Sequence, residues 1–183
     1  MKTPRFSVII PVHNAEKTIS AAIESVLRQS FKDFEIIVID DGSTDDSVRK
    51  MLRFARDDER VRSFAKNREG VSATRNQGAD LARGEFLAFL DADDCWTFDK
   101  LSRHNRLHIE NEDIEASYAK IAFRSEMQDG RLAKPMTFSS VPDGPLDLAT
   151  VLPENPVCTT SNLVMKRETF REMGGFRKGM NHA

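Results

Sequence analysis

The chain has 183 residues, of which 39% are hydrophobic and 31% charged, and its net charge is −2. This composition predicts one soluble globular domain and argues against a surface built for nucleic acid. No apolar run is long enough to span a bilayer and the N-terminus lacks a secretory signal, so we expect a cytoplasmic protein whose membrane contact, if any, is at the inner face. The two cysteines, Cys95 and Cys158, form no CxxC pair and are expected to be reduced thiols.

Short apolar runs predict three strands that are buried on both faces: FSVIIPV at 6–12, EIIVID at 35–40 and EFLAFLD at 85–91. Helical spacing of apolar residues predicts a helix over 15–29, with Asn14 as its N-cap. A second helix follows EIIVID, with Ser43 or Thr44 as its cap. Its predicted apolar stripe consists of Val48, Met51, Leu52 and Ala55. A short strand at 61–65 and a third helix over 70–84 lead into EFLAFLD.

This alternation predicts an α/β fold with an open, mostly parallel twisted sheet flanked by helices and joined by right-handed crossovers. Ligands of such sheets bind beyond the carboxyl ends of the strands. Polar or acidic residues follow each of the three main strands: Pro11, His13 and Asn14, then Asp40 and Asp41, then Asp91, Asp93 and Asp94. We expect these residues to converge on one site.

The second half of the chain is less regular. We predict a helix that starts near Thr97, a strand over 116–123, a turn at 127–131 and a short helix over 146–152. A strand over 159–166 and a helix ending at Gly174 and Gly175 complete the pattern. We expect a single domain over 1–183, with one half at 1–110 and a second half at 111–183.

The acids of LDADD predict a hard, oxygen-rich site suited to Mg²⁺ or Mn²⁺, with a diphosphate as a further oxygen donor. The alternative is that they only cap the helix near Thr97, but a cap requires neither the buried strand before them nor a second acidic strand end. Trp96 is expected to pack at the pocket floor and Cys95 to be a small apolar filler. The sequence contains no GxxxxGK[ST], and no GxGxxG follows the first strand, which disfavours P-loop and dinucleotide sites.

Three segments, in this order and spacing, resemble the nucleotide-binding half of family 2 glycosyltransferases of the GT-A fold: SVIIPVHN, QSFKDFEIIVIDDGSTDDS and GVSATRNQGADLARGEFLAFLDADD. The resemblance covers about residues 5–110, and GGFRKGM at 174–180 more weakly. It implies transfer of a sugar, with inversion, from a nucleotide diphosphate sugar to a hydroxyl acceptor in polysaccharide or glycoconjugate biosynthesis. The donor implied most often is a UDP-sugar.

The resemblance also implies site residues. The implied nucleotide-sugar-binding residues are Pro11, Val12, Asn14, Asp40, Asp41, Arg75, Asp91 and Ala92. The implied metal-binding residues, for Mg²⁺ or Mn²⁺, are Asp93, Asp91 and Asp94. Among them, Asp40 or Asp41 is implied to bond the base, with Arg75 beside it.

Plainer interpretations of several of these residues stay open at this point. Asn14 as an N-cap needs no ligand, and Arg75 on a solvated helix face needs none either. Asp45 and Asp46 are predicted to be first-turn acids favoured by the helix dipole rather than ligands.

One departure from the family pattern concerns the general base of an inverting transfer. In the family it is an acidic residue just after the segment that GGFRKGMNHA resembles. No Asp or Glu follows Glu172 and the sequence stops at Ala183, so we expect a piece of a longer protein that binds donor and metal but transfers sugar poorly. His182 is expected to be a terminal histidine without a ligand role.

The acceptor, predicted to be a saccharide or a lipid-linked sugar, should meet residues 113–165. The hydroxyl and amide groups at 159–162 are candidates, although such residues are also ordinary at strand ends. A basic cluster would suit an anionic membrane, but its interleaved acids favour a solvated face. The cluster consists of Arg49, Lys50, Arg53, Arg56, Arg60 and Arg62.

Other protein classes fit less well. A phospho-receiver domain expects an acidic pair after the first strand, where this chain has PVHN. A nucleotidyltransferase usually has a Gly-rich basic loop there. A donor-binding module without catalysis remains open, because the family's base has no match.

Overall fold

The computed structural model describes residues 3–123, 137–139 and 159–179. Its centre is a six-stranded sheet in the order β3-β2-β1-β4-β8-β5, and β6 pairs with β7 separately. The strands are β1 Phe6–Val12, β2 Phe34–Asp41, β3 Val61–Lys66, β4 Phe86–Phe89, β5 Ala116–Ser117, β6 Ala122–Phe123, β7 Thr137–Phe138 and β8 Val164–Lys166. The first four strands run parallel, and β8 is antiparallel to both β4 and β5.

Helices connect the strands. They are α1 Ile19–Leu27, α2 Ser47–Asp57, α3 Val71–Leu81, α4 Lys100–Glu110 and α5 Arg167–Glu172, and a 3₁₀ turn spans Thr160–Asn162. The predicted α/β fold with a mostly parallel sheet is confirmed. The predicted strand at 61–65 is also confirmed, as β3.

Alternate side chains of β1 supply two separate cores. Val8 and Ile10 pack in the cluster that contains α1, whereas Ile9 packs with Ala79 of α3 on the opposite face. Every residue of β1 and β2 is buried, which explains their unbroken apolar runs. A Cβ on Gly78 would lie 2.4 Å from Ile9 Cγ2, so glycine allows α3 to approach β1 this closely.

Both predicted helix caps are wrong. The N-cap of α1 is Thr18, and that of α2 is Asp46 rather than Ser43 or Thr44. Asn14 instead has a positive φ of 50°, and its side-chain oxygen accepts from the Thr44 N–H at 2.8 Å. The loop after β2 competes with α1 for this oxygen. Because the Thr44 N–H in that loop donates to it, the oxygen does not cap α1.

Other predictions need correction in detail. The strand predicted over 116–123 is two short strands with residues 118–121 between them, and the one predicted over 159–166 begins with the 3₁₀ turn. Leu52 does not belong to the apolar stripe of α2, since 53% of the residue is exposed. Cys95, predicted to be a small apolar filler, is exposed as well. The predicted turn at 127–131, the helix at 146–152, Cys158 and His182 lie outside the described residues.

Five of the six residues of the basic cluster pair with acids, and Lys50 donates to the Glu16 carbonyl instead. Arg49 pairs with Asp46, Arg53 and Arg56 with Asp57, Arg60 with Asp58, and Arg62 with Glu35. The exposed pairs of Arg49, Arg53 and Arg56 support the solvated-face interpretation, whereas Arg62 reaches the buried Glu35. Contact with a membrane stays a prediction. Among the helices of the described ranges, none is long and apolar enough to cross a membrane.

Glu35 on β2 joins four parts of the fold. Its buried carboxylate accepts from the Ser7 hydroxyl of β1 at 2.7 Å and from the Arg62 guanidinium of β3 at 2.9 Å. The backbone N–H and the guanidinium of Arg83, just after α3, also donate to it. Burial opposes the charge of Glu35, but these hydrogen bonds outweigh it and lower the pKa of the carboxyl.

We predict that Glu35→Gln lowers the free energy of unfolding by about 3 kcal/mol, because an amide N–H₂ would face the two arginines in a buried position. Urea unfolding at neutral pH measures the change. Glu24→Gln, which removes an exposed acid that pairs with Arg28, is the matched control and should stay within about 0.5 kcal/mol of wild type. Equal effects of the two substitutions would contradict the prediction.

Candidate functional site

An open cleft of about 700 Å³ lies beyond the carboxyl ends of β1 and β4. Residues 13–18, which follow β1, form one wall, Val71 and Arg75 of α3 form another, and residues 91–93 form the third. A larger groove on the outer face of α1 and α2 contains none of the strand-end residues. The cleft at the strand ends is therefore the candidate site.

The structure brings six of the predicted site residues to this cleft and leaves four out. Those that line it are Pro11, Asn14, Arg75, Asp91, Ala92 and Asp93. The others are Val12, Asp40, Asp41 and Asp94. The expected convergence thus holds for the ends of β1 and β4, whereas the acids that end β2 are buried beside the cleft. Whether any of these residues binds a nucleotide stays a prediction.

Asp41 binds the backbone just before α3. Its two oxygens accept from the backbone N–H groups of Glu69 and Gly70, each at 2.8 Å, and one of them lies 2.9 Å from the Lys66 ammonium. Burial works against the charge of Asp41, but these partners together lower the pKa of the carboxyl. Asp41 is therefore an anion that sets the position of the α3 N-terminus.

Asp40 shapes the loop after β2 and keeps one oxygen unused. Its Oδ2 accepts from the N–H groups of Gly42 and Ser43, at 3.1 and 3.0 Å. Its Oδ1 is buried and has no hydrogen-bond partner among the described residues. The same loop is joined to the cleft wall, because the Asn14 N–H donates to the Ser43 hydroxyl at 2.9 Å.

Asp45 also lines the cleft, which the sequence did not lead us to expect. Its carboxylate accepts from the Ser47 N–H at 3.0 Å and from the Glu16 N–H at 3.0 Å. Asp45 and Asp46 precede α2 instead of lying in its first turn. Lys17 is a second cleft residue that was missed. It is an exposed cation on the cleft wall and precedes α1, which begins at Ile19.

The central ion pair of the cleft joins α3 to the end of β4. Arg75 Nη2 donates to Asp91 Oδ1 at 2.7 Å, and only 2% of Arg75 is exposed. The Phe176 ring lies 5.4 Å from the guanidinium carbon. The interpretation of Arg75 as part of a solvated helix face is therefore wrong.

The neighbouring acids differ in exposure. Asp93 is exposed on the cleft, whereas Asp94 is partly buried. Burial raises the pKa of Asp94 and the charges of Asp93 and Asp91 add to that rise, while a hydrogen bond with Ser161 opposes it. Within the described ranges, no three His, Cys, Asp or Glu side chains form a ready metal site.

The 3₁₀ turn at Thr160–Asn162 holds Asp91 from the other side. The Thr160 hydroxyl donates to Asp91 Oδ2 at 3.1 Å, and the Asp91 N–H donates to the Ser161 hydroxyl at 2.8 Å. Trp96 supports this turn from behind, since its Nε1–H donates to the Ser161 carbonyl at 2.9 Å. Trp96 does not line the cleft, so its predicted place at the pocket floor is wrong.

A buried chain of polar side chains lies behind the turn. Lys100 Nζ is 3.1 Å from His104 Nε2, His104 Nδ1 is 2.7 Å from the Ser117 hydroxyl, and that hydroxyl is 2.8 Å from His108 Nε2. If both imidazoles are neutral, all three contacts are hydrogen bonds that run in one direction: Lys100 donates to His104, His104 to Ser117, and Ser117 to His108. Burial lowers the pKa of Lys100 to about 7 and also lowers the pKa of both histidines. The sequence signal for this group was the i, i+4, i+8 spacing of Lys100, His104 and His108, which places them on one face of a helix.

Sequence comparisons identify relatives of the chain. The model of the family described as glycosyl transferase family 2 matches residues 7–174. An uncharacterized glycosyltransferase of Rickettsia felis is 45% identical over 119 residues, which are 64% of this chain and 20% of that protein. The Escherichia coli protein WfgD, named a UDP-Glc:alpha-D-GlcNAc-diphosphoundecaprenol beta-1,3-glucosyltransferase, is 40% identical over 57% of this chain and 41% of its own. The chain thus spans about a fifth of the Rickettsia relative and two fifths of WfgD.

Solved structures share the fold. Residues 1–349 of S. aureus TarS in complex with UDP superpose with a TM-score of 0.71 at 22% identity, over 98% of this chain and 52% of that one. The mannosyltransferase PcManGT from Pyrobaculum calidifontis, in complex with GDP-Man and Mn²⁺, gives 0.68 at 22% identity, over 96% of this chain and 48% of that one. The GT-A-type glycosyltransferase fold predicted from the sequence is confirmed.

We predict that the chain becomes more stable as the pH rises from 7 to 10. The folded-state pKa of Lys100 is about 7 and its ordinary value is 10.5, so between these values the unfolded chain binds more protons than the folded one. Stability therefore increases with pH across this window. Thermal melting at several pH values measures the slope.

Lys100→Met should flatten that increase, because the variant lacks the titrating group. Lys166→Met is the matched control: Glu115 raises the pKa of Lys166, so its removal should leave the increase in place. An unchanged slope in Lys100→Met would refute the assignment.

Proposed function

Because the chain belongs to glycosyl transferase family 2, we propose that it forms the donor-binding part of an enzyme that transfers a sugar from a nucleotide diphosphate sugar to a hydroxyl group. One observation carries the proposal: Asp91 and Asp93 end a buried central strand at a cleft, inside the segment that the family model matches. We assign a UDP-sugar as the donor, which is supported by the UDP-Glc in the name of WfgD and the UDP in the TarS complex.

The proposed donor site uses the three cleft walls. Pro11 and Asn14 line it on one side and Arg75 on another, while Asp91 faces the cleft from a position fixed on both of its oxygens. Asp40, whose Oδ1 is buried and unpaired among the described residues, is the better placed of the two β2 acids to accept from a base N–H. Both oxygens of Asp41 already hold backbone N–H groups.

The residues fit a divalent cation at Asp93, with Asp94 close by in sequence. Asp93 is exposed on the cleft, and carboxylate oxygens beside a diphosphate suit Mg²⁺ or Mn²⁺. Asp91 is less available, because Arg75 and Thr160 occupy its oxygens. A bound cation would offset the negative charge that develops on the departing diphosphate. The Mn²⁺ in the PcManGT complex is consistent with this choice.

For the acceptor we propose a lipid-linked saccharide, supported by the diphosphoundecaprenol in the name of WfgD. Peripheral contact with a membrane follows from this choice of acceptor. Inversion at the anomeric carbon remains a prediction, as does a general base at a position after Ala183.

Two alternatives share the cleft: a nucleotide-sugar-binding module without catalysis, and a nucleotidyltransferase. Product assays separate them from the proposal. A transferase releases UDP from a UDP-sugar, a nucleotidyltransferase releases pyrophosphate from UTP and a sugar phosphate, and a binding module releases neither.

We predict that UDP raises the melting temperature when Mn²⁺ is present and that EDTA removes most of this increase. A ligand at 100 times its dissociation constant adds about 2.7 kcal/mol of stability, which a melting experiment resolves. Asp93→Asn should weaken UDP binding at least about tenfold, because a charge-assisted contact is worth about 1.5–3 kcal/mol.

Asp80→Asn, an exposed acid on α3 outside the cleft, is the control and should bind UDP like wild type. Binding of UDP that survives both EDTA and Asp93→Asn would overturn the metal assignment. Absence of binding to UDP and to a panel of UDP-, GDP- and dTDP-sugars would overturn the donor-site proposal.

A further inference from the structure

Lys100 carries an amino group that is buried without an acidic partner. Only 8% of the residue is exposed, and in the part of the chain that the structure describes no carboxylate is bonded to its Nζ. A buried amino group costs free energy unless hydrogen bonds offset it, and an apolar side chain would fill the same space at a lower cost. The contacts of Nζ therefore indicate what the lysine does.

Two of the three contacts of Nζ lead to the 3₁₀ turn. Nζ donates to the carbonyl of Asn162 at 3.3 Å and to His104 Nε2 at 3.1 Å, and it lies 5.2 Å from the centre of the Trp96 ring. The indole N–H of Trp96 in turn binds the carbonyl of Ser161. Two consecutive carbonyls of the turn are thus held by Lys100 and by the ring that Lys100 packs against.

The other side of the turn faces the cleft. Thr160 binds the Asp91 carboxylate, and Ser161 receives the Asp91 N–H. The Asn162 side chain is tied down separately, since its Oδ1 accepts from the Ala119 N–H at 2.8 Å and its amide N–H donates to the Ala119 carbonyl. Lys100 and Asp91 therefore act on opposite sides of one short segment.

We propose that Lys100 is a positioning residue for donor binding: it fixes the turn at Thr160–Asn162 so that Thr160 and Ser161 hold Asp91 in place. This inference rests on the proposed donor site at Asp91. His104 contributes by accepting from Nζ, and Ser117 orients His104 through the bond to its Nδ1. Lys100 itself does not line the cleft, so it acts only through the turn.

The test compares Lys100→Met, Lys100→Gln and Lys166→Met with wild type. Methionine keeps the length of the side chain and removes every N–H, whereas glutamine keeps an N–H donor without the charge. Lys166 lies on neighbouring β8 and bonds Glu115 on the surface, so its replacement is the matched control. The readouts are the UDP dissociation constant with Mn²⁺, the melting temperature and the hydrogen exchange rate of the Asp91 amide.

We expect Lys100→Met to weaken UDP binding about tenfold, as the loss of one buried hydrogen bond allows, and to speed exchange of the Asp91 amide by a similar factor. Its melting temperature should stay within about 4 °C of wild type, because the variant also loses the cost of burying a polar amino group. Lys100→Gln should recover part of the affinity, and Lys166→Met should match wild type.

The readouts keep the two proposals apart. Wild-type affinity for UDP in Lys100→Met, with unchanged exchange at Asp91, overturns the positioning role while the donor site stands. A loss of affinity that only follows a large fall in melting temperature, with no recovery in Lys100→Gln, also overturns it. If wild type binds no nucleotide, the proposed donor site fails, and unchanged exchange at Asp91 in Lys100→Met then shows that the turn does not depend on the lysine either.

Discussion

The ion pair between Arg75 and Asp91 is the contact on which the candidate site depends. A carboxylate at the end of a fully buried strand needs a positive partner, and a guanidinium buried in α3 needs a negative one. The two charges offset each other across the carboxyl edge of the sheet through the bond from Arg75 Nη2 to Asp91 Oδ1. The pair therefore fixes α3 relative to β4, and the remaining cleft residues are arranged around it.

Several weaker contacts keep this pair in one geometry. Asp41 holds the N–H groups at the start of α3, and Gly78 lets the middle of that helix lie against Ile9 of β1. The Asn76 amide binds both the N–H and the carbonyl of Phe176, whose ring packs over Arg75. Helix, strand and C-terminal segment thus meet at one guanidinium. Among the described residues, both Asp91 and Phe176 beside Arg75 are themselves held by hydrogen bonds to other segments.

The features that could be predicted from the sequence are those with local causes. Strands buried on both faces need unbroken apolar runs, and parallel strands must end at one edge, so β1, β2, β4 and the convergence at Asp91 followed from pattern alone. The features that could not be predicted depend on distant partners. Asn14 has the residue type and position of a good N-cap in the sequence, but the loop after β2 takes its oxygen. Lys100 has the spacing of an amphipathic helix, but nothing nearby in sequence indicates that a carbonyl 62 residues later is its acceptor.

The order of the strands has a consequence for how the site is assembled during synthesis. β1 to β4 follow one another along the chain and can pair as they leave the ribosome, but β8 must insert beside β4 after at least 70 further residues. Until then Asp91 has Arg75 and no hydroxyl partners, and the inner face of α4 has no carbonyl for Lys100. The nascent half-domain therefore carries the acidic motif before the 3₁₀ turn is there to hold Asp91. β1 pairs with β4 over a separation as long as the one between β4 and β8, but β8 is the last of these strands to be synthesised, so its pairing follows theirs.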